Sequence, residues 1–176
     1  MLRETYQKQY DHEHAHRAEL SSGVSAPVAA ITLVASATAV AVLDFSYTES
    51  ILAFVFLLFV GTTLLSLAVA AYYVYRSLWN YKYEKLASPL QLLAYQEQLV
   101  AWHELQGKTT EQALAEGEAE ASRDVVRKLC EATDWNGQIN LRRGNFLHMG
   151  TTAIAVSLAS FLPLACIYAA DRKSVV

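Results

Sequence analysis

Three apolar runs, Val24–Leu43, Ile51–Tyr75 and Phe146–Ala170, constrain the fold of this chain more than any other feature. None contains an acidic residue, a lysine or an arginine; His148 is the one titratable imidazole. Each is about 20 residues or longer, and at about 1.5 Å per residue such a helix crosses a hydrocarbon core of about 30 Å. The chain therefore reads as an all-α integral membrane protein with three transmembrane helices. The first run follows a polar segment holding Glu4, Asp11, Glu13 and Glu19, and it is too long for the apolar core of a cleavable signal peptide.

The runs divide the 176 residues into expected pieces. Residues 1–23 form an amphipathic helix, 24–43 the first span, 44–50 a short external loop and 51–75 the second span. Residues 76–145 form a cytoplasmic helical hairpin, 146–170 the third span and 171–176 an external tail. Lys and Arg set the orientation: three precede the first span, nine lie in 76–145, two lie in the tail and none lies in the loop. With three crossings the N-terminal segment and the hairpin share a side, and the positive-inside rule makes that side cytoplasmic. In a bacterium this is a multi-pass protein of the inner (plasma) membrane. The tail's Arg172 and Lys173 run against the trend. A net charge of −3 offers no basis for nucleic-acid binding. Cys130 and Cys166 fall in different layers, so a disulfide between them is not expected.

Small residues in the first and third spans, among them Ala35, Ala39, Gly150, Ala153 and Ser157, suit close helix packing in lipid, where hydrophobic force between helices is weak. The second span is bulkier and is expected to face lipid more. It leaves the membrane through an interfacial belt of Tyr72, Tyr73, Tyr75, Trp79, Tyr81 and Tyr83, with Arg76, Lys82 and Lys85 between the rings. Ser88-Pro89 then opens a helix that runs to about Gln106 and stops at Gly107. Leu92, Tyr95, Leu99 and Trp102 make an apolar seam on it that calls for a facing helix, within or between subunits. Thr109 and Gln112 read as a capping box for a second long helix, which meets no strong breaker before the third span.

Two groups could carry chemistry. His12-Glu13-His14-Ala15-His16 satisfies H-E-x-x-H, in which His12 and His16 would share a metal and Glu13 would act on its water. No motif supplies the third protein ligand of a catalytic zinc, so a polar helix face is the favoured reading and a metal-dependent hydrolase the minor one. Just before the third span stand Asp134, Asn136, Asn140, Arg142 and Arg143. They read as a buried polar network setting helix register, or as a ligand- or partner-binding patch. No nucleophile triad, phosphate loop, dinucleotide fingerprint or Cys-x-x-Cys pair is present, so neither an enzymatic role nor a cofactor is expected. The spans lack the intramembrane charges of proton-coupled transporters.

The layout of Tyr6-x-x-x-Tyr10-x-His12, a close pair of spans, Tyr72-Tyr73-x-Tyr75-Arg76 and Ala132-Thr133-Asp134-x-Asn136-x-x-x-Asn140 before a last span resembles that of small uncharacterised bacterial membrane proteins. More loosely, it resembles the two-helix membrane effectors of antiphage defence, the SLATT class included, from whose two-span plan the third span departs. The resemblance implies a non-enzymatic homo-oligomer in the lipid bilayer that perturbs the membrane when its cytoplasmic helices receive a protein or small-molecule signal. The alternative is a structural or accessory subunit of a larger membrane complex.

Overall fold

The computed structural model describes residues 2–48 and 50–174, so residue 49 of the expected loop and the last two residues of the expected tail lie outside the described residues. Every regular element among them is an α-helix: α1 (Leu2–Ser22), α2 (Ser25–Asp44), α3 (Ser50–Leu78), α4 (Pro89–Leu105) and α5 (Thr110–Ser174). Three stretches are long and apolar enough to span a membrane, one containing α2, one in α3 and one in α5. The chain forms two compact units. One comprises residues 1–17 and 81–140, the other residues 18–80 and 141–176.

The second unit is built on α3, whose buried residues are Phe56, Val60, Thr63, Leu67, Ala70, Val74 and Ser77. Their spacing of four and three residues keeps one stripe facing a partner along the whole helix. Against it stand Val34, Thr38 and Ala41 of α2 and Gly150, Ile154, Ser157 and Leu164 of α5, all buried. Phe45, after α2, stacks on Phe56 with ring centroids 4.0 Å apart. Small residues in the third span do allow close approach, and their partner is the second span. A Cβ on Gly150 would sit 3.0 Å from Val74 Cγ2 and 3.5 Å from the Ala70 carbonyl. The second span is thus a packing centre as well as a bulky surface, because its small residues recur in heptad phase while Phe54, Leu58 and Leu65 occupy the outer face.

The interior of this unit is mostly apolar with a few hydroxyls, and its outer surface is apolar as well, unlike that of a water-soluble bundle. Hydroxyls occupy its interior at Thr38, Thr63 and Ser157, whereas Leu33, Leu43, Ile51, Phe54, Leu65 and Leu162 are each at least two-thirds exposed. Thr38 and Ser157 donate within their own helices, to Val34 O at 2.7 Å and Ile154 O at 2.8 Å, which satisfies them without water. Pro27 lies in the opening turn of α2, where its missing N–H costs nothing. Pro163 sits inside α5, which continues past it.

One end of the unit is closed by polar contacts. Asp171, buried near the end of α5, accepts the Ser46 N–H at 3.0 Å and the Ser46 hydroxyl. Tyr168 donates to Asp44 at 3.1 Å, and Arg172 stands 3.7 Å from the same carboxylate. The α2–α3 loop and the end of α5 therefore meet. Arg172, an exception to the charge asymmetry, has Asp44 as its counter-charge.

In the first unit α4 begins at the expected Ser88-Pro89, and Gln91 completes a capping box there. The Ser88 hydroxyl accepts the Gln91 N–H at 3.4 Å, and Gln91 Oε1 accepts the Ser88 N–H at 2.9 Å. Gly107, with φ +84°, turns the chain out of α4 in the left-handed conformation that glycine adopts freely. Thr109 and Gln112 then cap α5 reciprocally, at 3.3 and 3.4 Å. Helix α5 runs unbroken for 65 residues. Its start packs antiparallel on α4 through Ala113, Gly117 and Ala121, all buried. A Cβ on Gly117 would fall 2.8 Å from Val100 Cγ2 and 3.2 Å from the Val100 nitrogen, so this crossing requires glycine.

Candidate functional site

The first unit holds the polar chemistry, and its organising element is an extended strap without regular structure, residues 81–88, that precedes α4. The strap has no β-partner, so side chains satisfy its backbone. Asn136 does this as a peptide group would: its Oδ1 accepts the Glu84 N–H at 2.9 Å and its Nδ2 donates to Glu84 O at 3.0 Å. Trp135 Nε1 donates to Lys82 O at 2.9 Å, and the Tyr10 hydroxyl accepts the Leu86 N–H at 3.4 Å. One turn along α5, Asn140 accepts from the Tyr83 hydroxyl at 2.7 Å. It also donates to the Glu13 carbonyl and carboxylate at 2.9 and 2.8 Å. Arg17 lies over the Tyr83 ring at 4.3 Å. Asn136 and Asn140 are each only 1% exposed, so these bonds are shielded from water.

Helical phase sorts the expected polar cluster. Asn136, Asn140 and Arg143 share one face of α5 at steps of four and three residues and are buried. Asp134 and Arg142 point away and are exposed; Asp134 accepts from Gln138 at 3.0 Å, one turn on. Arg143 belongs to the second unit, where it donates to Ser77 O at 2.8 Å and the Ser21 hydroxyl at 3.1 Å.

The aromatic belt also divides. On α3 and just after it, Tyr72 and Tyr73 contact each other at 5.4 Å, Tyr75 and Trp79 at 4.8 Å, and Arg76 lies 5.1 Å above Phe146. Tyr81 and Tyr83 belong to the first unit, where Tyr83 is taken up by Asn140 and Arg17 rather than serving as an interfacial ring. His12 and His16 lie one turn apart with ring centroids at 6.3 Å. Glu13, which a hydrolytic H-E-x-x-H site would need free, is committed to Asn140. No group of three His, Cys, Asp or Glu among the described residues could hold a metal ion.

The expected seam of α4 is half-buried at Leu92, Tyr95 and Leu99, but Trp102 is 52% exposed. At about 100° per residue, position 102 lies about 80° off the line of Leu92 and Leu99, whereas position 103 returns to it. That place is taken by His103, which sequence reasoning missed although the phase was there to find it. His103 is 5% exposed, with Nε2 3.2 Å from Glu120 and Nδ1 3.0 Å from Lys108. Lys108 also binds the Glu116 carboxylate, and this hydrogen bond, with the ammonium charge, holds the Glu116 carboxyl below its ordinary range.

Between the strap, α4 and α5 opens a cleft of 560 Å³, walled by Leu86, Leu92, Val125 and Ala132, with Lys85, Arg127 and Lys128 among its lining residues. The volume lies in the range of small-ligand sites. Tyr95 donates to Asp124 in this wall, and that bond, reinforced by desolvation, raises the tyrosine above its usual value. Arg127 pairs with Asp124 at 2.9 Å and Lys128 with Glu131 at 3.0 Å. The arrangement offers apolar surface beside Arg127 and Lys128, whose charges are already partnered, together with a neighbouring acidic surface at the α4–α5 turn.

Cys130 and Cys166 are free thiols in different units. Comparison of the chain with protein-family models, curated proteins and solved structures finds no match.

Proposed function

We propose that this chain is a non-enzymatic, oligomeric inner-membrane protein whose cytoplasmic helices receive a partner or signal. The observation that carries the oligomer is the outer face of α2. Ser25, Ala29, Thr32, Ser36 and Ala39 recur at steps of four and three residues, are all small, and are all exposed. They lie opposite the buried stripe of Val34, Thr38 and Ala41. Lipid tails gain little by covering such a face, whereas another helix can approach it closely. The exposed apolar surface of the second unit supports membrane residence, and the concentration of Lys and Arg in 1–23 and 76–145 supports a cytoplasmic first unit.

Native mass spectrometry of the full chain in nanodiscs tests this reading. A defined oligomer is expected, weakened by Ser36→Phe or Ala29→Phe on the outer face. A monomer at every concentration would overturn it. In its stronger form the protein is a membrane-perturbing effector of bacterial defence, a reading supported by the resemblance in layout. Controlled expression together with the trigger should then depolarise cells, and an unchanged membrane potential under every trigger removes that form. Stoichiometric copurification of an unrelated membrane protein would favour the accessory-subunit reading instead.

A further inference from the structure

Helix α4 is apolar on nearly every side, yet only one side is covered. Leu90, Leu93, Trp102 and Leu105 are 78%, 52%, 52% and 85% exposed. A helix apolar all round is ordinarily buried on all sides, so α4 lacks a neighbour. The missing neighbour has a defined seat. Beside the close crossing at Gly117 and Val100 runs a groove of 250 Å³ whose lining includes Leu93, Val100, Ala101 and Leu114. Two antiparallel helices form its walls, a geometry into which a third helix fits ridge into groove.

The charge around this groove is one-sided. Glu97 and Glu104 line it from α4. Glu111 and Glu118, three residues before and four after Leu114, flank it on α5, and Glu118 accepts from Gln96 across the crossing at 3.4 Å. Residues 86–122 contain six glutamates and one cation, Lys108, which is already bound to Glu116 and His103. An acidic rim repels an anionic bilayer surface and attracts a cationic protein surface. Within the same unit α1 is engaged elsewhere, through Tyr10, Glu13 and Arg17.

We infer that the α4–α5 groove docks an amphipathic helix of another protein, with apolar residues at steps of three and four seated on Leu93, Ala101 and Leu114 and flanking Lys or Arg facing Glu97, Glu104, Glu111 and Glu118. The inference names the partner class for the receiving role proposed above and rests on that reading. Groove-borne apolar contact supplies the affinity, and the carboxylates select the sign of the partner.

The test uses the full chain in nanodiscs of zwitterionic lipid, with empty nanodiscs as the blank. The probes are a fluorescent Leu/Lys amphipathic peptide and its Leu/Glu mirror. The Leu/Lys peptide should bind, more weakly as salt rises, and the Leu/Glu peptide should not. Leu93→Asp with Leu114→Asp should weaken binding at least about tenfold; both sites are about half exposed, so folding is preserved, as circular dichroism and the melting temperature will verify. Glu97→Lys with Glu104→Lys should reverse the preference toward the Leu/Glu peptide. Equal binding of both peptides, binding unaffected by these variants, or binding only to empty discs would overturn the inference. Loss of self-association in the Leu93/Leu114 variant would also overturn it, by showing that a second copy fills the groove. An oligomeric protein that ignores the peptide leaves the oligomer reading standing without the groove. A monomeric protein that binds it selectively keeps the groove and removes the oligomer.

Discussion

Replacing Asn136 should release the strap without dissolving the helices. In Asn136→Ala the Glu84 N–H and C=O lose both bonds to a side chain that is itself 1% exposed. At a net worth of about 0.5–1.5 kcal/mol per bond, plus part of the cost of leaving buried groups unpaired, the local loss is about 2–3 kcal/mol. Since 1.36 kcal/mol is a decade, strap opening should become about 30- to 150-fold more frequent. Hydrogen–deuterium exchange in nanodiscs reads this as faster exchange in peptides covering residues 82–87. Trp135, bonded to Lys82 O, should report the same release in its fluorescence. Exchange near Gly117 should stay unchanged. Asn136→Asp provides a pH signature: its carboxylate would face the Glu84 carbonyl, so burial and repulsion raise its folded pKa above the usual ~3.9. The neutral acid can donate to that carbonyl. The variant should therefore be least impaired below pH ~4 and should lose stability as pH rises through the folded value. Unchanged exchange over 82–87 in Asn136→Ala, or a loss spread evenly over all helices, would refute the account of Asn136 as the strap's hydrogen-bonding partner.

Gly117→Ala should destabilise the α4–α5 pair by about 1 kcal/mol or more, despite the usual helix gain from alanine, because the added methyl meets Val100 and its backbone. Gly61→Ala, with nothing within 4 Å, should be neutral or stabilising in the same melting assay. Trp102→Ala should cost under about 0.5 kcal/mol and His103→Ala about 1–3 kcal/mol, as thermal melts of the two variants will compare, because only the imidazole is buried between Glu120 and Lys108. Glu116 has its carboxyl held down by Lys108, so its contribution is present above the ordinary carboxylate range and fades as pH falls through the lowered value. A carbon-13 titration should show the Glu116 midpoint rising toward the ordinary value in Lys108→Met.

Features set by local chemistry were legible in the chain. The apolar runs, the Ser88-Pro89 start, the Thr109–Gln112 capping box, the stop at Gly107 and the uninterrupted course of α5 each depend on a few neighbouring residues. Helical phase was legible but needs the full 100° step: counting 92, 95, 99, 102 placed Trp102 on the seam, and one further residue finds His103. The same arithmetic sorts Asn136, Asn140 and Arg143 from Asp134 and Arg142. The partners of that face were not legible, because they come from residues 52 to 127 positions away. Asn136 finds Glu84 and Asn140 finds Glu13 only once α1 and the strap have packed on α5. Bulk in the second span likewise concealed its heptad of small and medium residues, which only neighbouring helices reveal as buried.

Three spans with the polar unit in the cytoplasm set a pattern of access that cysteine labelling in spheroplasts reads. In a background lacking Cys130 and Cys166, a cysteine at Thr48 in the α2–α3 loop should react with a membrane-impermeant maleimide from outside. A cysteine at Gln106, exposed at the α4–α5 turn, should react only after lysis. Labelling of the Gln106 position in intact spheroplasts, or release of the protein from membranes by alkaline carbonate, would contradict the account.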